Sequence, residues 1–191
     1  MTEHSLQASD VNKVWSDAMR SIRHAQLNEL QLIRSYSKMQ HSEKMERCVA
    51  FMLEKLDQER MIQSYGDPVW LARLLPLVYG VGRIRVRFEQ LIYQLSSASL
   101  EQDWQCSLWV EQALYEIIDR FNLLTGAGVS PEPQVLRVSI HTLDTLTEIR
   151  MKPWKSEGFD QLLEFAQTIS GNPEITDNQE HGTVIVRWSW R

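Results

Sequence analysis

Cysteine is scarce: Cys48 and Cys106 are the two in 191 residues, too few for a disulfide framework and in no metal-ligand spacing. Both read as reduced thiols, with Cys48 on the apolar stripe of a helix and so a core residue, and the expected location is the cytoplasm. A basic excess is also missing. The formal net charge is −5, which argues against a general nucleic-acid binder. The densest basic run, Arg83, Arg85 and Arg87, alternates with Ile84, Val86 and Phe88 and reads as the solvated face of a strand. No apolar run reaches membrane length, because Arg73 and Pro76 interrupt the longest, Val69–Val81, and no signal peptide is evident. Neither nucleic acid nor a membrane is therefore expected as a partner. His4, His41, His141 and His181 cluster neither with one another nor with carboxylates, so no metal site is expected.

What is present is ordinary for a folded chain, with 43% hydrophobic and 24% charged residues. The length suits one compact domain or two small ones. Residues 1–9 form a polar, disordered start. Ser9 or Asp10 caps a first helix that runs to about Met39, and Gln40-His41-Ser42 makes a tight connection. A second helix follows, with Met45, Cys48, Val49, Met52, Leu53 and Leu56 on one stripe, and ends near Tyr65-Gly66-Asp67-Pro68. The short link makes residues 10–66 an antiparallel helical hairpin. Its first helix would be about 45 Å long at 1.5 Å per residue, too long for so small a chain to cover. Pairing two hairpins across a two-fold axis removes the problem, so a homodimer through residues 10–65, closed as a four-helix bundle, is expected.

Residues 67–191 change character. Val69–Tyr79 is a short apolar helix or a buried segment broken at Pro76, closed by Gly80 and Gly82. Ile84, Val86 and Phe88 alternate as a strand, and Leu100–Leu124 reads as a helix with Leu108, Ala113, Leu114, Ile117, Ile118 and Phe121 inward. Strands are expected around Val135–Ile140 and Leu146–Met151, then a helix over Phe159–Ile169. Thr183–Trp190 closes the chain as a strand with Val184, Val186, Trp188 and Trp190 on one face; the two tryptophans read as core or as an interface. Glu157, Asp160 and Glu164 read as a solvated face. The fold class is α+β: a helical hairpin followed by a small helix-on-sheet α/β sandwich.

The segment richest in chemistry lies in the first helix. At about 100° per residue, Val11, Trp15, Ala18, Met19, Ile22, Ile33 and Tyr36 collect on one side. His24 falls nearly opposite Ile22, together with Lys13, Arg20, Asn28, Gln31 and Lys38, and Leu27 also sits on this outer side. His24 and Asn28, four apart, stand side by side. The pattern presents a nucleophile flanked by cations and a leucine; read from the wheel alone, it is also compatible with a plain surface histidine.

The stretch Arg23-His24-Ala25-Gln26-Leu27-Asn28-Glu29-Leu30-Gln31-Leu32-Ile33 resembles the Arg-His-x-x-x-Asn-x-Leu-Gln-Leu-Ile segment of the sporulation initiation phosphotransferases of Bacillus-type phosphorelays. Chain length, hairpin position and element order are similar too, and the second half resembles the ATPase domain of sensor histidine kinases in pattern alone. The resemblance implies a phosphotransferase in which His24 takes a phosphoryl group from one response-regulator aspartate and passes it to another, controlling the initiation of sporulation. Response-regulator receiver domains would be the partners. It implies contact through Arg20, Arg23, Leu27, Gln31, Arg34 and Lys38, and an orienting role for Asn28. No cofactor of the chain's own is implied, with Mg²⁺ supplied by the regulator.

Two departures shape that expectation. Kinases and phosphotransferases with this motif commonly carry an acidic residue directly after the histidine, where this chain has Ala25. A kinase ATP-binding domain should also show an asparagine-bearing helix and Asp-x-Gly-x-Gly loops. Here Asn122 comes at the end of its helix, and Gly126 and Gly128 lack the aspartate. The second half therefore reads as a degenerate ATPase-like domain that does not use ATP. The competing reading is a non-catalytic dimer that sequesters or inhibits a response regulator or kinase.

Overall fold

The computed structural model describes residues 8–66, 68–80, 84–95, 100–125, 134–153 and 158–189. Helices α1 (Ala8–Lys38) and α2 (Ser42–Gln63) form the antiparallel hairpin, turning through Gln40 at φ 56°. Ala8 and Ser9, expected in the polar start, already belong to α1. Gly66 follows α2 at φ 68°, where a Cβ would come within 2.7 Å of the Tyr93 ring, so only glycine fits. Helix α3 (Pro68–Tyr79) runs unbroken through Pro76. Burial of Val69, Trp70, Leu74, Leu75, Leu77 and Val78 outweighs the lost backbone donor and overrides the local breaker.

Strand β1 (Ile84–Gln94), helix α4 (Leu100–Thr125) and strand β2 (Gln134–Leu143) form a parallel pair with a crossover helix. β3 (Leu146–Lys152), α5 (Phe159–Ala166), β4 (Glu174–Asn178) and β5 (Thr183–Ser189) follow. The result is an α+β fold carrying a five-stranded mixed sheet in the order β1-β2-β3-β5-β4. Period-two alternation sends Ile84, Val86 and Phe88, then Leu136, Val138 and Ile140, Ile149 and Met151, Val184 and Val186 to one buried face. α3, α4 and α5 cover that face through Val110, Leu114, Ile117, Phe121, Leu162 and Phe165 among others. Ile22 of α1 and Ile62 of α2 join the same apolar core. The hairpin docks chiefly on α3.

Several expectations change. Cys48 is half-buried, because α2 turns Lys55, Gln58 and Ile62 inward and leaves Val49, Leu53 and Leu56 exposed. Leu108 is half-buried, and α5 stops at Ala166, where a turn carries the chain to Ile169. β4 had no alternating apolar signal, since it is a mostly exposed edge strand, Glu-Ile-Thr-Asp-Asn, held by β5. Trp188 is core, stacked at 6.3 Å on Trp109. Arg83, Gly126, Gly128, Glu157 and Trp190 lie outside the described residues. Among the described residues, no helix is long and apolar enough to cross a membrane.

Candidate functional site on the first helix

α1 has an anchored face and an open one, set by where its polar side chains find partners. On the anchored face Ala18 and Ile22 are buried, and the Gln26 Nε2 donates to the Tyr79 hydroxyl at 3.0 Å. Glu29, one turn on, pairs with Lys55 of α2, whose side chain is 4% exposed. The Lys55 ammonium also lies 4.4 Å from the Phe51 ring centroid and 4.7 Å from that of Tyr79. Burial holds the Lys55 pKa below its ordinary value, against the opposing pull of Glu29. Burial likewise raises the Tyr79 hydroxyl, against its bond to Gln26.

This latch reaches the sheet. The Arg85 guanidinium stacks 3.6 Å from the Phe51 centroid, so Arg85 is half-buried against α2, contrary to its reading as a solvated strand residue. Of the two described arginines of that run, Arg87 keeps to that reading: it is exposed and reaches Glu54 at 3.3 Å. Gln58 then binds β1 as a strand would. The Phe88 N–H donates to Gln58 Oε1 at 2.7 Å, and Gln58 Nε2 donates to the Phe88 carbonyl at 3.1 Å. Both bonds satisfy backbone groups of an edge strand next to its bulge.

The open face carries the residues singled out from the sequence. His24, Arg20, Arg23, Leu27, Asn28, Gln31, Arg34 and Lys38 are all exposed, on one helix. Arg20 reaches Asp17 at 3.7 Å, and the Arg23 Nε donates to the Met19 carbonyl at 3.4 Å. No hydrogen bond or ion pair engages His24 among the described residues, and its imidazole is open to an incoming group. Leu27 is 55% exposed, an apolar side chain left open to water. The arrangement suits in-line attack by an imidazole on an external electrophile whose negative charge the neighbouring cations would offset. Among the described residues, no group of three or more His, Cys, Asp or Glu side chains is placed to hold a metal ion.

Sequence reasoning found the open face and missed the latch. Glu29 falls on the same side of the wheel as Ala18 and Ile22, and a carboxylate there requires a buried partner. That was the available signal. Its partner Lys55 is 26 positions away and could not be paired without the tertiary fold. The chain matches no family model and no curated protein.

Proposed function

We propose that this protein is a phosphorelay phosphotransferase that carries a phosphoryl group on His24 between response-regulator aspartates, in the manner of the sporulation initiation phosphotransferases its first helix resembles. The observation that carries the reading is the placement of His24: exposed and unpaired on the outer face of a helix whose opposite face is locked by Gln26, Glu29 and Ile22. An imidazole ring nitrogen carries a lone pair that can attack phosphorus. Its nitrogen lone pair would form the P–N bond as the aspartyl P–O bond breaks, returning the first regulator's carboxylate. The reverse exchange would load the second regulator. Receiver domains would bring the acidic pocket and Mg²⁺, and Arg20, Arg23, Arg34, Lys38, Gln31 and Leu27 would dock it, with Asn28 beside the ring.

The working form would be a homodimer through residues 10–65. Val49, Leu53 and Leu56 recur at four- and three-residue spacing along α2 and stay exposed, the seam a four-helix bundle needs. In this reading the five-stranded mixed sheet under its helix layer is a degenerate ATPase-like domain, and the setting is cytoplasmic. The test is transfer from a radiolabelled, phosphorylated single-domain response regulator, with His24→Gln and ATP in parallel lanes. Acid-labile label on the wild type, none on H24Q and none from ATP alone is the expected result. Measurable regulator binding without label would overturn it in favour of a non-catalytic dimer that sequesters its partner, a role for which an unpaired His24 followed by Ala25 suffices.

A further inference from the structure

The helix layer covers one face of the sheet. On the other face the strands turn charged side chains outward, and at the end where β3 finishes and β5 begins these enclose a depression of about 500 Å³. Arg137 from β2 and Arg150 and Lys152 from β3 line it. Arg137 and Lys152 are register partners across the β2/β3 ladder, so their stems rise side by side. Among the described lining residues three cations face one carboxylate, Glu89, which lies 3.8 Å from the Arg137 Nε. That positive balance stands on a chain whose net charge is −5, so it is a local construction rather than a general surface property.

Arg150 is held in place before any ligand arrives. Its Nε donates to Glu148, whose other carboxylate oxygen accepts from the Arg187 Nε. A guanidinium has five N–H donors, so this bond orients the fork and leaves others directed elsewhere, lowering the ordering cost of binding. Glu148 is itself buried, and the two arginines hold its carboxyl below the usual range against the effect of burial. Nearby His141 is pushed below its ordinary pKa chiefly by burial, with Arg150 adding to the shift and Glu148 opposing it. Thr183 at the β5 start, Asn178 and His181 add polar groups on the remaining side. Among the described lining residues Ile185 is the sole aliphatic side chain and His181 the sole ring, which disfavours a ligand with a nucleobase-sized aromatic part.

We infer that this depression binds a small anion bearing two phosphate groups, held between Arg137 and Lys152 on one side and the pre-oriented Arg150 on the other. The site is independent of the phosphotransfer reading, since it lies on the open sheet face and uses no residue of α1. The full chain, titrated calorimetrically with inorganic pyrophosphate at constant ionic strength, should bind saturably. Affinity should fall at least about tenfold in R137Q/K152Q and stay within about twofold in R47Q/R60Q, which removes two exposed cations from α2. Orthophosphate should bind more weakly than pyrophosphate. In the wild type, amide shifts on titration should concentrate at residues 137–139, 150–152 and 178–185, a readout that does not depend on any variant folding. No saturable binding at millimolar pyrophosphate, equal losses in the two double variants, equal affinity for both anions, or shifts centred elsewhere would each overturn the inference.

Discussion

In the helix-on-sheet layer Phe121, Leu114, Ile149 and Val186 are sealed from water, whereas in the hairpin Leu27, Leu30, Leu32, Met39, Val49, Leu53 and Leu56 stand in it. Among the described residues, Leu123 is the sole large exposed hydrophobic outside the hairpin. The two regions also differ in how completely they are closed. The layer closes on itself through β-ladders, apolar contact and buried hydrogen bonds such as Trp70 Nε1 to Asp103. The hairpin is tied down by Ala18, Ile22 and Ile62 and by the bonds Glu29–Lys55 and Gln58–Phe88, and holds its remaining apolar surface open. Exposed apolar area of that extent is unfavourable for a free monomer, so the contrast teaches that the first region is finished by its own chain, while the second keeps open the surface that the proposed dimer would cover.

Core truncation should give the largest effect and the sharpest form of this comparison. Phe121→Ala, in edge-to-face contact with Phe165 at 4.9 Å, should cost about 3–5 kcal/mol in urea unfolding, through lost transfer energy and the cavity left behind. The paired change Leu53→Asp/Leu56→Asp should leave the core intact and convert the proposed dimer to a monomer in light scattering. A cooperative melt with unchanged mass would break the contrast.

The latch should come next. Lys55→Ala strands Glu29, whose Oε2 is buried and already without a hydrogen-bond partner, and should cost about 3 kcal/mol. Lys55→Met with Glu29→Met should recover most of that loss in the same assay, because two apolar side chains replace an ion pair without leaving a charge behind. Failure of the double variant to recover would mean that the pair also positions α1 through contacts beyond charge.

The smallest expected effect concerns the open sheet face. Glu148 has its carboxyl pKa lowered in the folded state, so its contribution is full above the unfolded carboxylate range near 4.5 and is lost as pH falls through the folded value. Glu148→Gln should therefore cost about 1–3 kcal/mol at neutral pH and flatten the acid limb of a stability–pH curve. An unchanged acid limb would show that Arg150 and Arg187 do not hold Glu148 charged.

Much of the fold was legible because burial imposes a period. The alternation Ile84-x-Val86-x-Phe88 and the run Ala113, Leu114, Ile117, Ile118, Phe121 gave β1 and α4, and the sheet core followed. The open face of α1 was equally legible, since Arg20, His24, Leu27 and Gln31 lie opposite Ala18 and Ile22. β4 was not, because an edge strand held mainly by ladder bonds needs no apolar alternation. The continuity of α3 escaped because Pro76 is a local breaker, and only the surrounding core overrides it.

Most element types, the α+β class and the face of α1 that carries His24 were determined by the sequence alone, because all of these depend on short-range periodicity; β4 was not among them. The tertiary structure alone decided that Lys55 meets Glu29 and Tyr79, that Gln58 caps the edge of β1, and that Arg137, Arg150 and Lys152 converge on one depression. Those contacts join residues distant in the chain, or depend on how neighbouring strands align in the sheet. Such partners are fixed by strand register and helix docking, which no local pattern encodes.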